Sequence, residues 1–180
     1  MDSNDLSNIS LSSDTLNLLF QIFPDPIVRQ YVLNVLSAAL FPRTPPRHVY
    51  FCYGTGSNGK SLFFSLLSKT FQYLFTTVTS KFLSTNNETP NAPSPVLLSI
   101  KNKRLVVNPE TNESPYSSAT LKRLCGGDQM NARTLYCSQI QSFVVMSRIF
   151  LSGNELPKFD TYDIAVTDRL VVIPFERRFI

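Results

Sequence analysis

Histidine and cysteine are scarce in this chain. Its 180 residues include one histidine and three cysteines, Cys52, Cys125 and Cys137. The cysteines are odd in number and lack ligand spacing, which argues against a zinc site. They read as reduced packing residues of an intracellular protein. Long apolar runs are missing too: none approaches the ~20 residues a membrane-spanning helix needs. The first residues, Met1-Asp2-Ser3-Asn4-Asp5, are acidic and polar, which excludes a signal peptide. Positive charge is absent from residues 1–28, which hold Asp2, Asp5, Asp14 and Asp25. All 17 Lys and Arg follow from Arg29 onward, so the net charge of +4 hides a distinctly basic body. Such a body suits a polyanionic partner, although a solvated basic surface has the same composition. No internal repeat is visible. With 43% apolar and 17% charged residues, the chain reads as one globular domain able to bury a core.

The most informative stretch is Gly54-Thr55-Gly56-Ser57-Asn58-Gly59-Lys60-Ser61. An apolar, aromatic run from His48 to Tyr53 precedes it and reads as a buried strand. Phe63, Leu66, Leu67, Phe71 and Leu74 follow at helical spacing. Strand, G-x-x-x-x-G-K-S and helix form a phosphate-binding loop in its expected context. The glycines let the backbone curl so that N–H groups point at anionic phosphates beside a helix N-terminus. Lys60 would reach the β- and γ-phosphates of ATP, and the Ser61 hydroxyl would ligate Mg²⁺.

Residues 1–13 are rich in Ser, Asn and Asp and are expected to be a flexible N-terminus. Asp14 is placed to cap a helix running through Phe23. Pro24-Asp25-Pro26 breaks that helix and restarts a second, with Asp25 at N-cap and Pro26 at N1. Ile27, Val28, Tyr31, Val32, Val35, Leu36, Ala39 and Leu40 give the second helix its apolar face, and Pro42, Pro45 and Pro46 end it. Residues 14–46 thus read as a helical collar and 47–180 as the catalytic core, with ordinary core helices as the alternative use of 14–46. Residues 76–80 form a short β-branched strand, 84–95 an exposed loop and 96–100 a helix. Residues 105–107 form a second buried strand. Strands alternating with helices predict an α/β fold with a mostly parallel sheet covered on both faces.

Three strand ends carry chemistry. Leu105-Val106-Val107-Asn108-Pro109-Glu110 ends in a carboxylate suited to polarise an attacking water or hold the metal's water shell. Arg148 to Gly153 leads to Asn154, an amide able to bond a γ-phosphate, although Asn is also an ordinary turn residue. Arg169 precedes a fourth apolar strand, where it could stabilise charge on a neighbouring subunit's γ-phosphate or pair with Asp168 or Asp163. Lys122, Arg123 and Arg133 flank the turn Gly126-Gly127-Asp128, where two short extended runs begin. This is the expected nucleic-acid contact, with a solvated basic helix end as the alternative.

In order, these motifs read Asn-Gly-Lys-Ser, a strand with terminal Glu, Leu-Lys-x-Leu-x-Gly-Gly-Asp with Arg133 and Tyr136 following, Gly-Asn-x-Leu-Pro, and Arg-Leu-x-x-Ile-Pro-Phe. Across roughly residues 25–178 the chain resembles the superfamily 3 helicases of the AAA+ class, in particular the poxvirus-type and phage-type primase-helicases. The resemblance implies a P-loop NTPase forming a ring, with six subunits expected. Such a ring hydrolyses ATP at subunit interfaces and moves 3′ to 5′ on single-stranded DNA in viral, phage or plasmid replication. It assigns ATP and Mg²⁺ to Gly59, Lys60 and Ser61, and the catalytic carboxylate to Glu110. Asn154 takes the sensor role, Arg169 that of a finger acting in trans, and residues 122–136 match the motif near a DNA-tracking hairpin. The chain departs from the pattern at Asn108 and Pro109. With no Asp before Glu110, Mg²⁺ would rest mainly on Ser61, phosphates and water. No primase region precedes the motifs, so a fragment of a longer replication protein or a compact stand-alone version is expected. A replication initiator that binds ATP and DNA without processive unwinding is the alternative, and a small-molecule kinase a weaker one.

Overall fold

Successive side chains of a strand point to opposite faces, so strands apolar at nearly every position, such as Val49–Tyr53 and Leu105–Asn108, make a sheet buried on both sides. The computed structural model describes residues 13–83, 94–110, 115–133 and 139–179. Strand β1 (Val49–Tyr53) is flanked in parallel by β6 (Arg148–Gly153) and β7 (Leu170–Pro174). On its far side β6 pairs with β3 (Leu105–Asn108), which pairs with β2 (Phe75–Thr77). The order is β2-β3-β6-β1-β7, all parallel. Sheet neighbours are therefore not chain neighbours, and β6 lies between the loop strand and the strand leading to Glu110.

Val49 and Phe51 of β1 point to one face with Val106, Ile149 and Leu151, where α5 (Ser118–Gly126) contributes Leu121, Leu124 and Cys125. Tyr50 and Cys52 point the other way with Leu105, Val107, Phe150 and Ile173. That second face is covered by α1 (Ser13–Ile22), α2 (Pro26–Leu40) and α3 (Lys60–Phe71). The helices of the expected collar thus share a core with the strands. Phe23, Phe63 and Phe175 interlock there with ring centroids 4.9 to 5.8 Å apart. Each such ring contributes roughly 1.5–3 kcal/mol through burial.

The Pro24 break falls as expected: Asp25 caps α2 by accepting from the Ile27 N–H at 2.7 Å, and Pro26 opens the helix. Asp14 instead lies within the first turn of α1, where its charge complements the helix dipole. The strand expected at 76–80 starts one residue earlier and stops at Thr77, and Ser80, its expected last residue, instead opens a 3₁₀ turn, Ser80–Leu83. Helix α4 (Pro95–Ile100) precedes β3. The extended runs after Gly127 form an antiparallel hairpin, β4 (Gln129–Ala132) with β5 (Gln141–Val144). Helix α6 (Ile164–Thr167) leads into β7. The expected flexible N-terminus, most of the expected loop at 84–95, Tyr136 and Cys137 lie outside the described residues. Among the described residues Cys52 and Cys125 are buried free thiols. No described helix is long and apolar enough to cross a membrane.

Candidate nucleotide site

Because all five strands run the same way, their C-terminal ends share one rim of the sheet, and the polar residues following β1, β3 and β6 meet there. The loop 54–59 leaves β1 and turns directly into α3, whose twelve residues begin at Lys60. Gly54 is required by close approach: a Cβ would lie 1.9 Å from Asn58 Nδ2 and 2.7 Å from the Phe175 carbonyl. Gly59 sits at φ 85°, the left-handed region a glycine adopts without strain. Ser57 is also left-handed, at φ 48°, and its carbonyl accepts from Phe179 N–H at 2.7 Å. The side chain of Asn58 is buried and donates to the Phe175 carbonyl at 3.2 Å, tying the loop to the end of β7.

A cleft of about 790 Å³ opens over this rim. The loop from Gly56 through Lys60 to Ser61 lines it together with Pro109, Glu110 and Asn154. Lys60 Nζ donates to the Gly54 carbonyl, to Asn58 Oδ1 at 3.1 Å and to Asn154 Oδ1 at 3.4 Å. Partial burial holds the Lys60 ammonium below the usual lysine range. Burial alone keeps Cys52 a neutral thiol far above its ordinary range. The cleft thus presents a lysine ammonium at the N-terminus of a helix, the combination that takes up a phosphate.

Glu110 is positioned by its neighbours. Asn108, the last residue of β3 and 1% exposed, accepts from the Glu110 N–H at 3.3 Å through Oδ1. Its Nδ2 donates to Ser80 Oγ and to the Tyr116 hydroxyl, each at 3.3 Å. Ser80 Oγ in turn donates to the Glu110 main-chain carbonyl.

The expected site residues therefore divide. Lys60, Ser61, Glu110 and Asn154 converge on one cleft with the loop glycines. Arg169 lies at the start of β7, where its carbonyl accepts from Val49 N–H at 2.7 Å. That is the opposite rim, one five-residue strand or ~17 Å away. Its guanidinium donates to the Ala165 carbonyl at 2.8 Å and its buried Nε has no partner among the described residues. Asp163, one of its candidate partners, is taken by Lys122 at 2.5 Å. Lys122 and Arg123 sit on α5 and Arg133 directly after β4, on the elements leading to the β4–β5 hairpin. Sequence reasoning passed over Lys158, Leu156 and Phe179, which also line the cleft. It passed over Ser80 and Tyr116 as well, because only the order of strands brings them beside Asn108.

Mg²⁺ fits the donors present. Among the described residues no group of three or more His, Cys, Asp or Glu could hold a metal. Among the hydroxyls and carboxylates that line the cleft are Ser61, in the first turn of α3, and Glu110, beyond the β3 end. That suits an ion which keeps several waters and takes its remaining ligands from substrate phosphates.

A phosphate-loop NTPase of α/β type is thus defined by fold and cleft together. No family model matches the chain. A helicase-named protein of Acanthamoeba polyphaga mimivirus is 33% identical over 163 residues, covering 90% of this chain and 17% of that protein. A helicase-named protein of Invertebrate iridescent virus 3 is 30% identical over 176 residues, covering 91% and 18%. The chain therefore spans less than a fifth of the length of these relatives. Among solved structures, the C-terminal region of NrS-1 superposes with TM-score 0.64 at 18% identity, covering 89% of this chain and 36% of that one. The JCV helicase gives 0.53 at 13% identity, covering 88% and 44%. The helicase-named viral relatives and the shared fold agree with the resemblance to superfamily 3 helicases that the motifs carry.

Proposed function

We propose that this chain is the ATP-hydrolysing motor domain of a viral DNA helicase, which uses ATP with Mg²⁺ to move along single-stranded DNA. The observation that carries the reading is the convergence of Lys60, Asn154 and Glu110 on one cleft from three parallel strand ends. The curled loop and the α3 N-terminus bind the triphosphate, and Lys60 exchanges its carbonyl and amide partners for phosphate oxygens. Mg²⁺, when bound, neutralises phosphate charge. Glu110, which also lines the cleft, orients the lytic water and accepts its proton, and Asn154 bonds the terminal phosphate.

The remaining assignments complete the machine. Arg169, on the opposite rim from its own loop, serves a nucleotide held by an adjacent copy of the chain, which makes a closed ring, six-membered by resemblance, the working assembly. Lys122, Arg123 and Arg133 lie on the elements that present the β4–β5 hairpin to a phosphate backbone gripped without base reading. A primase region or other replication proteins are natural neighbours of such a motor.

The test is ATP turnover with and without single-stranded DNA, beside a measurement of assembly size. Turnover is expected to rise several-fold with DNA and to be abolished by Lys60→Ala. Rings that bind ATP and DNA yet separate no duplex select the initiator reading. Failure to retain ATP at millimolar Mg²⁺ overturns both.

A further inference from the structure

The end of β3 is built in an unusual material for a core strand. Asn108 is 1% exposed, Ser80 5% and Tyr116 1%, so three polar side chains are buried at one point. Burying such groups is costly unless each is hydrogen-bonded, and an apolar β-branched residue would close the strand more cheaply. Here Asn108 uses its acceptor on the Glu110 N–H and its amide on two hydroxyls. Ser80 takes the other main-chain group of Glu110, its carbonyl. The ladder with β6 ends at Asn108, and Pro109 has no N–H to donate, so side chains grip Glu110 on both its N–H and its C=O. Burial raises the Tyr116 phenol against its contacts with Ser80 and Asn108, which keeps it protonated at neutral pH. The Tyr116 ring is itself fixed against Phe159, with centroids 5.9 Å apart.

We propose that Asn108, braced by Ser80 and Tyr116, is a positioning residue that aims the Glu110 carboxylate at the lytic water without touching the nucleotide. The inference rests on the ATPase reading above. None of the three lines the nucleotide cleft, whereas Glu110 does. The network therefore acts on the chemical step and leaves ground-state binding alone.

The experiment measures single-turnover ATP hydrolysis in the full chain with Mg²⁺ supplied, and separately the Kd of a fluorescent ATP analogue. Tyr116→Phe, which keeps the packed ring, is expected to slow the chemical step about threefold to tenfold. Asn108→Ala is expected to slow it about a hundredfold, with Kd changed less than about twofold in both. In a Glu110→Gln background the same substitutions should cost nothing further, because they act only through the carboxylate. An unchanged rate in Asn108→Ala overturns the proposal. So does a loss that persists undiminished beside Glu110→Gln, or one mirrored in Kd. Should Asn108→Ala not fold, Ser80→Ala takes its place, with a loss of at least threefold expected and none overturning. A parent chain without ATP turnover shows the ATPase reading itself to fail, before any variant is made, and the positioning role with it.

Discussion

Lys60 is held in the cleft by three oxygen acceptors, yet burial still drives its ammonium below the ordinary lysine range. The folded chain therefore binds that proton less well than the unfolded chain does. Stability should rise with pH as the solution climbs through the folded pKa toward the ordinary lysine value, and the penalty is fully present at neutral pH. A lysine kept for function at the expense of stability makes a clear prediction. Lys60→Met should raise the Tm of the nucleotide-free protein at pH 7, by on the order of 2 °C, while abolishing turnover. Its advantage should shrink in scans at alkaline pH. Added ATP and Mg²⁺ should raise the Tm of the parent chain and leave that of the variant unmoved. A variant less stable than the parent at every pH would show that the acceptors outweigh the desolvation.

At the scale of elements, α5 carries Lys122 and Arg123 and leads to the β4–β5 hairpin, and its start is fixed by one hydroxyl. Ser117, 3% exposed, accepts from Thr120 N–H at 3.1 Å as the N-cap, and its own N–H donates to the Leu83 carbonyl at 2.6 Å. Ser117→Ala should cost about 1–2 kcal/mol, or roughly 2–8 °C in Tm, read by calorimetry. An unchanged Tm would mean the helix end is set by packing alone. The sequence made this layer only partly legible. Asp25-Pro26 announced α2, and the loop with its flanking strand and helix announced β1 and α3, because caps, turns and periodicity act over a few residues. The three strand ends carrying Lys60, Glu110 and Asn154 were legible as motifs. Their meeting was implied by the resemblance alone and by no local pattern, since a parallel sheet of order β2-β3-β6-β1-β7 joins strands far apart in the chain. Ser80 carried no signal of its own for the same reason: the turn at Ser80–Leu83 gains its role only from being next to β3.

For the whole molecule, the decisive fact is that Arg169 and the phosphate loop occupy opposite rims of one sheet. Arg169 directly precedes β7, an edge strand with one side unpaired among the described residues, so a neighbouring copy can approach it. Within a single chain the guanidinium would have to cross the length of a strand to meet a nucleotide on Lys60; between copies it need only leave the Ala165 carbonyl. If Arg169 works across an interface, Arg169→Ala should lower turnover at least about a hundredfold while nucleotide affinity is retained. Turnover per chain in the parent should climb with protein concentration until assembly saturates. Mixing decides between the two geometries. Lys60→Ala cannot use ATP but still offers its arginine, and Arg169→Ala holds ATP but offers none. Mixed assemblies of the two then contain interfaces with an intact loop facing an intact arginine, and should regain a measurable share of parental turnover. If the arginine acted within its own chain, no interface in the mixture would be complete and turnover would stay at the level of the separate variants.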